Sequence, residues 1–326
     1  MAERASLLQT VQIGVESVSG TAVAASKTLS ATSIEPGIQT NIKAFKPMGQ
    51  KFTTVSAIGK EWVEAPLSGV LSYTDWVYLA ASGLQYTAPV QQGATAAYLW
   101  ANLPSQTAVD TVKTFTIEVG GAVRAHKFSY GLVNNLGYMI TREEATVKGS
   151  MIGQLLTDGI TMTATPTAIA LKPVLPTQCS IYMDAAFGDI GTNKLLRALS
   201  VDFETGERFG PVWPIDAAQT SFAAHVEIEP AAKFKLKLEA DAVGMGLLTT
   251  MRTGAKKFFR VEAIGESIAS PYSNTWRHDI CATVSAVSEF SDEDGVYAIE
   301  WTFDATYDTD LTKAFSFSTT NALTAL

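Results

Sequence analysis

The sequence predicts a mainly β protein, two tandem β-sandwich or barrel domains each with one short flanking α-helix. Three observations predict it. Residues 62–83 open as an alternating strand, with Val63, Ala65 and Leu67 on one face and Glu64 and Ser68 on the other. The period then turns helical at Val70, Leu71, Tyr73, Trp76, Val77 and Ala80, with Gly83 as the C-cap. Residues 233–254 repeat that design. Phe234, Leu236 and Leu238 alternate with Lys235, Lys237 and Glu239, and Val243, Leu247, Leu248 and Met251 form a stripe that stops at Gly254. Third, the halves echo each other in order. Gly20-Thr21 matches Gly191-Thr192 and Gly83 matches Gly254, both at an offset of 171 (191 − 20 and 254 − 83).

The division expected from this echo is 1–165 for the first domain and 166–326 for the second. Residues 1–28, rich in small side chains, read as an N-terminal arm lying on a neighbour. Residues 29–35 read as a strand closed by Pro36-Gly37, and residues 38–58 as a long hairpin broken at Pro47 and Gly49. Residues 85–113, rich in Gln, Thr and Ala, form an insertion in the first domain. The offset between Glu118 and Glu262 falls to 144 (262 − 118), as an insertion there requires. Strands follow at 115–119, 124–130 and 137–147, with Gly120-Gly121, Gly131 and Gly149 as punctuation. Residues 157–178, with Pro166, Pro173 and Pro176 among threonines and alanines, read as the linker. Residues 200–202 echo 33–35, and residues 281–290 and 296–307 form strands around a turn at 292–295.

Composition narrows the function. At 326 residues with 47% hydrophobic content the chain can bury two cores, and a mean hydropathy of +0.13 argues against general disorder. Only 17% of residues are charged, which points to surface covered by partners in an assembly. A net charge of -8 supplies no basic footprint for nucleic acid. The two cysteines, Cys179 and Cys281, suit a reducing compartment. The opening MAERASLLQT has no signal-peptide core and no apolar run is long enough to span a bilayer, so a soluble protein made in the cytoplasm, without a membrane partner, is expected.

No catalytic, metal or cofactor-binding residues are expected. His126, His225 and His278 lie far apart and outside metal-ligand spacings, and no GxSxG is present. Gly244-Met245-Gly246 lacks the third glycine of a dinucleotide loop, and Gly254 ends a helix where a phosphate cradle would begin one. Charge reads better as surface. The 38–58 hairpin carries lysines, while residues 201–229 carry Asp202, Glu204, Glu207, Asp216, Glu227 and Glu229 against Arg208 alone. Lys43, Lys46, Lys51, Glu204, Glu207 and Asp216 are therefore the candidate contacts within and between rings. The acidic run from Glu289 to Asp310 makes Asp292, Glu293 and Asp294 candidate lumen residues, where like charge would keep DNA from sticking.

The Gly-Thr step after residues 11–19, the strand–helix unit at 62–83, the strand at 115–121 and the stretch 195–239 with RFGPVWPID and SFAAHVEIEP together resemble the tail tube (major tail) proteins of long-tailed, non-contractile bacteriophages. The resemblance spans most of the chain without an invariant motif. It implies tail-tube-like domains whose rings stack into a channel for genome ejection, in a virion tail. Family members with one such domain assemble as hexamers, so a chain with two implies a trimeric, pseudo-hexameric ring. It also implies other tail proteins at the tube ends (tape measure, tip and terminator) and DNA that passes without specific binding. The competing expectation is a two-domain β-sandwich binding module, such as an adhesin or capsid decoration protein.

Overall fold

Alternation of apolar and polar residues governs most of the chain, and the computed structural model, which describes residues 8–216 and 218–326, is mainly β with two α-helices among the described residues. The first half contains β1 (Thr10–Val15), β2 (Lys27–Leu29), β3 (Thr32–Ile34), β4 (Gly37–Phe45), β5 (Val55–Val70), α1 (Trp76–Gly83), β6 (Val90–Gln91), β7 (Tyr98–Asn102), β8 (Phe115–Gly120), β9 (Ala125–Ile140), β10 (Ala145–Gly153), β11 (Leu156–Asp158) and β12 (Thr167–Ala168). The second contains β13 (Cys179–Asp184), β14 (Ala198–Glu204), β15 (Phe209–Val212), β16 (Ala224–Glu227), β17 (Lys233–Glu239), α2 (Ala242–Thr253), β18 (Lys256–Ala269), β19 (Tyr272–Val287), β20 (Ser291–Glu293), β21 (Val296–Ala305) and β22 (Phe315–Asn321).

Antiparallel pairing runs β3/β4–β5–β10–β9 in the first half and β14–β17–β21–β19 in the second. The N-terminal parts of β9 and β19 then pair into β9–β8–β1 and β19–β18–β13. Strand order and direction therefore repeat, and so does detail. One residue is left unpaired at the same point in each, Asn134 where β9 faces Ser150 and Met151, and Ser285 where β19 faces Thr302 and Phe303. Gly20 and Gly191 both take a positive φ, 84° and 90°, which favours glycine. Each donates its N–H to a buried carboxylate at the end of the preceding strand, Glu16 at 2.7 Å and Asp184 at 2.8 Å.

Two seams join the halves. β9 pairs with β14 from Gly137 opposite Glu204 to Ile140 opposite Val201, so the two four-strand sets form one antiparallel wall. β7 pairs with β22, and Trp100 Nε1 donates to Asn321 Oδ1 at 3.1 Å. One hydrophobic core runs through both halves. At its centre Trp76 of α1 meets Trp276 of β19 edge-on with 5.5 Å between ring centroids, and Tyr138, Phe203 and Phe317 close around them. Aromatic pairs of this kind add about 0.5–1.5 kcal/mol each beyond the area they bury.

Several expectations need correction. Residues 10–15 of the expected arm are an internal strand, because Val11 and Ile13 are buried and Glu16 accepts from Thr114, Thr116 and the Tyr130 amide; residues 1–7 lie outside the described residues. The 29–35 strand breaks at Ser30 and Ala31, whose amides donate to Asp75 at 3.0 and 2.6 Å. α1 is only eight residues long and is buried on every side, so apolar spacing at Val70–Tyr73 belongs to the strand end and turn before it. Gly83 is its last helical residue, and the C-cap is Leu84. A side chain at Gly83 would press on Val133 at 3.0 Å. Gly131 and Gly149 sit inside β9 and β10, where a neighbouring carbonyl (of Phe115 and Asn135 respectively) leaves no room for a Cβ. The 157–178 stretch is not a free linker. Ile169 and Val174 are buried in the core, and Tyr73 Oη donates to Gln178 at 3.0 Å.

Candidate assembly surfaces

Three surfaces stand out, each following from local chemistry. The first is the wall. Over residues 63–67, 145–147, 201–203, 234–238 and 299–303 of β5, β10, β14, β17 and β21 alternate residues are buried, and the other face there is left mainly to polar side chains. Those side chains are charged and interleaved. Glu204 faces Lys233, which faces Asp304, and Asp202 faces Lys235. Lys148 Nζ also lies 2.6 Å from Asp202. Directly opposed opposite charges support a sheet and leave its face close to neutral. Among the described residues both wall edges are open: β3 and β4 pair only with β5, and Ser285–Phe290, at and just beyond the end of β19, is exposed with partners on one side only.

The second surface is the β4–β5 hairpin. Lys43, Lys46 and Lys51 are exposed on it and make no ion pair among the described residues. Ile42, Phe45, Met48, Phe52, Val55 and Ile58 are also exposed, from 56% to 101%. That much apolar surface on a two-stranded ribbon marks a contact site. Its counterpart in the second half, residues 209–228, folds back on the first half instead. Trp213 packs edge-on against Trp62 at 5.6 Å, Phe222 against Tyr130 at 5.0 Å, and the Lys60 ammonium sits over the Trp213 ring at 4.5 Å. The six candidate contact residues are not brought together within the chain. Glu204 lies on the wall, while Glu207 and Asp216 are exposed in the connections flanking β15.

The third is the β20–β21 turn. Asp294 and Gly295 take φ of 54° and 82°, the left-handed pair that a two-residue hairpin turn needs. Asp292 accepts from the Gly295 amide at 3.0 Å, Asp294 pairs with Arg142 at 2.6 Å, and Glu293 pairs with Lys237. The acidic run is thus partly neutralised by bases that only the fold brings near it.

A buried triad corrects the expectation that the charges of residues 201–229 all lie on a contact surface. The Arg208 guanidinium, 2% exposed, lies 2.6 Å from Asp110, which is fully enclosed, and also pairs with Glu227. Glu227 accepts the Asp110 amide at 2.8 Å and Asp110 accepts the Ser105 amide at 2.8 Å. The triad ties the 85–113 insertion to β16 and to the end of α1. A lone arginine beside Phe209 in an acidic stretch was the available signal.

The histidines do not converge. His126 lies 2.9 Å from Asp158, and His225 Nδ1 lies 3.0 Å from the Tyr130 hydroxyl. His278 is enclosed in the core, stacked on Phe317 at 4.1 Å with Nδ1 2.8 Å from the Tyr138 hydroxyl. Burial holds its pKa well below the ordinary histidine value and lowers that of His225. Asp279, next along β19, points the other way to Arg260. Burial raises the Cys179 thiol to about 12 and Cys281 to about 11, so neither is an activated nucleophile. Among the described residues no group of three His, Cys, Asp or Glu side chains is placed to hold a metal, and no helix is long and apolar enough to cross a membrane. Compared with known proteins, the chain matches no family model and no curated protein.

Proposed function

We propose that the chain is a structural subunit carrying two tandem tube-like domains, and that it assembles into rings that stack as the tube of a phage tail. One observation carries the reading: a wall of four strand positions occurs twice in the same order, is already joined once through β9 and β14, and ends in two open edges. A sheet left open at both edges gains by closing on copies of itself, because closure alone removes every edge. A repeated unit joined head to tail forms a ring when the rotation closes. Each chain supplies eight wall positions, counting β3 with β4 as one, so three copies supply 24 (3 × 8). From strand spacing and ordinary tilt, such a barrel has a backbone diameter on the order of 40–50 Å. Side chains on its inner face leave a channel that admits a nucleic-acid duplex.

The polar face of the wall suits a lumen. Its paired charges offer neither a basic track that would grip DNA nor an apolar patch that would hold it, so the genome slides through unbound. The lysine-bearing hairpin is the natural contact between stacked rings, and Glu207 and Asp216 are exposed acids it can meet. Tape measure, tip and terminator proteins would cap the ends. Negative-stain imaging of purified protein tests the reading: rings or tubes of threefold symmetry with a central hole are expected. Sedimentation that stays monomeric over a thousand-fold concentration range would sink it.

A further inference from the structure

We infer that the open edge formed by residues 288–292 of one copy pairs with β3 and the start of β4 of a second copy, in the register that β9 already uses on β14. The proposal deepens the ring reading and rests on it only in needing a second copy of this chain.

The register follows from matching the two walls strand by strand. Ile34 faces Leu67, Leu67 faces Gly149, and Gly149 faces Leu136. In the second half Val201 faces Leu236, Leu236 faces Trp301, and Trp301 faces Val287. Ile34 therefore corresponds to Val201, and Leu136 to Val287. Within the chain, Gly137 to Ile140 pair with Glu204 to Val201. The same step beyond Val287 sets Ser288 against Gly37. One extra residue then intervenes, because Ser288 bonds to Glu300 while Ser291 faces Ala298, so Ser291 comes against Glu35 and Asp292 against Ile34.

The receiving site is already shaped. A groove lies beside β3, lined by Val11, Leu29, Thr32, Ile34, Glu35 and Val119. Its counterpart beside β14, lined by Cys179, Ile181, Leu196 and Ser200, is walled on one side by Ile140, Thr141 and Arg142 of the first half. Among the described residues the groove beside β3 has no such wall from an adjoining strand. The matching segment is the start of the β20–β21 hairpin, which carries Asp292 and Glu293 where the first half carries Ile140 and Thr141. Ser288, Glu289 and Phe290 are exposed, and Glu35 is exposed beside them in the pairing.

Cysteine cross-linking of the full chain tests this. Purified E35C is mixed with S288C, E289C, F290C or S291C and oxidised, with wild type plus E35C as the control for Cys179 and Cys281. Non-reducing gels should show a covalent dimer for E35C with S291C, well above the control, and the E35C/S291C double variant should give a ladder that ends at the trimer. No cross-link above control with any of the four partners, in preparations that imaging shows to contain rings, overturns the pairing and leaves the ring reading intact. Cross-linked open filaments without a central hole keep the pairing and sink the tube.

Discussion

Arg208 offers the sharpest test of how the two halves are held. Replacing it with methionine keeps most of the side-chain volume but strands the enclosed Asp110 carboxylate and Glu227 without their cation. Breaking a buried pair by removing one partner costs about 3–5 kcal/mol. At roughly 2.1 cal/mol/K per residue, a chain of 326 residues has an unfolding entropy near 0.7 kcal/mol/K, so Tm should fall by about 4–7 °C. Scanning calorimetry reads this directly. The penalty belongs to the orphaned charges, so the triple variant R208M/D110N/E227Q should recover more than half of it. A drop below about 1.5 °C for R208M, or a triple variant less stable than R208M, would refute the reasoning.

Three further outcomes follow from local chemistry. His278 has a depressed pKa in the fold, so the unfolded chain binds the extra proton: its contribution is complete above the ordinary value of 6.5 and is lost as pH falls below it. Between pH 7.5 and 5.5 urea titrations should show wild type losing about 1.4 kcal/mol more than H278F, and equal losses would dismiss the idea. Gly149→Ala forces a Cβ onto the Asn135 carbonyl and should cost about 2 kcal/mol, whereas Gly246→Ala, in α2 with nothing within 4 Å, should stabilise by about 0.5–1 kcal/mol; thermal melts that reverse this order contradict the packing. K43E/K46E/K51E should leave Tm unchanged, since those lysines make no ion pair among the described residues, yet reduce tubes to separate rings under the microscope.

The strands were legible where one face is buried, because period-two alternation is a local signal: β17, β21 and the second part of β5 read directly. α2 was also legible, with Asp241 capping its start and Gly254 in the left-handed region at its end. α1 was readable as a helix but not in its extent, since a helix buried on every side carries no stripe to measure. The seams were not legible at all. Val201 and Ile140 are 61 residues apart (201 − 140), and nothing in either segment names the other. The same holds for the Arg208 triad, whose acids come from two distant segments. The lysines of the hairpin were found as a charge pattern, while the apolar side chains beside them, which mark the surface more strongly, were read only as strand alternation.

The two helices hold equivalent places but differ in cover. The 85–113 insertion lies over α1, with Lys113 donating its amide to Ala81, while on α2 Val243 and Met251 stay open. The bend after α2 at Gly254 meets nothing within 4 Å, so a guest peptide spliced there would hang outside and disturb no packing. The corresponding position after α1 has no such freedom. Cargo display at a helix end of this scaffold is therefore tolerated on the later half and not on the earlier one.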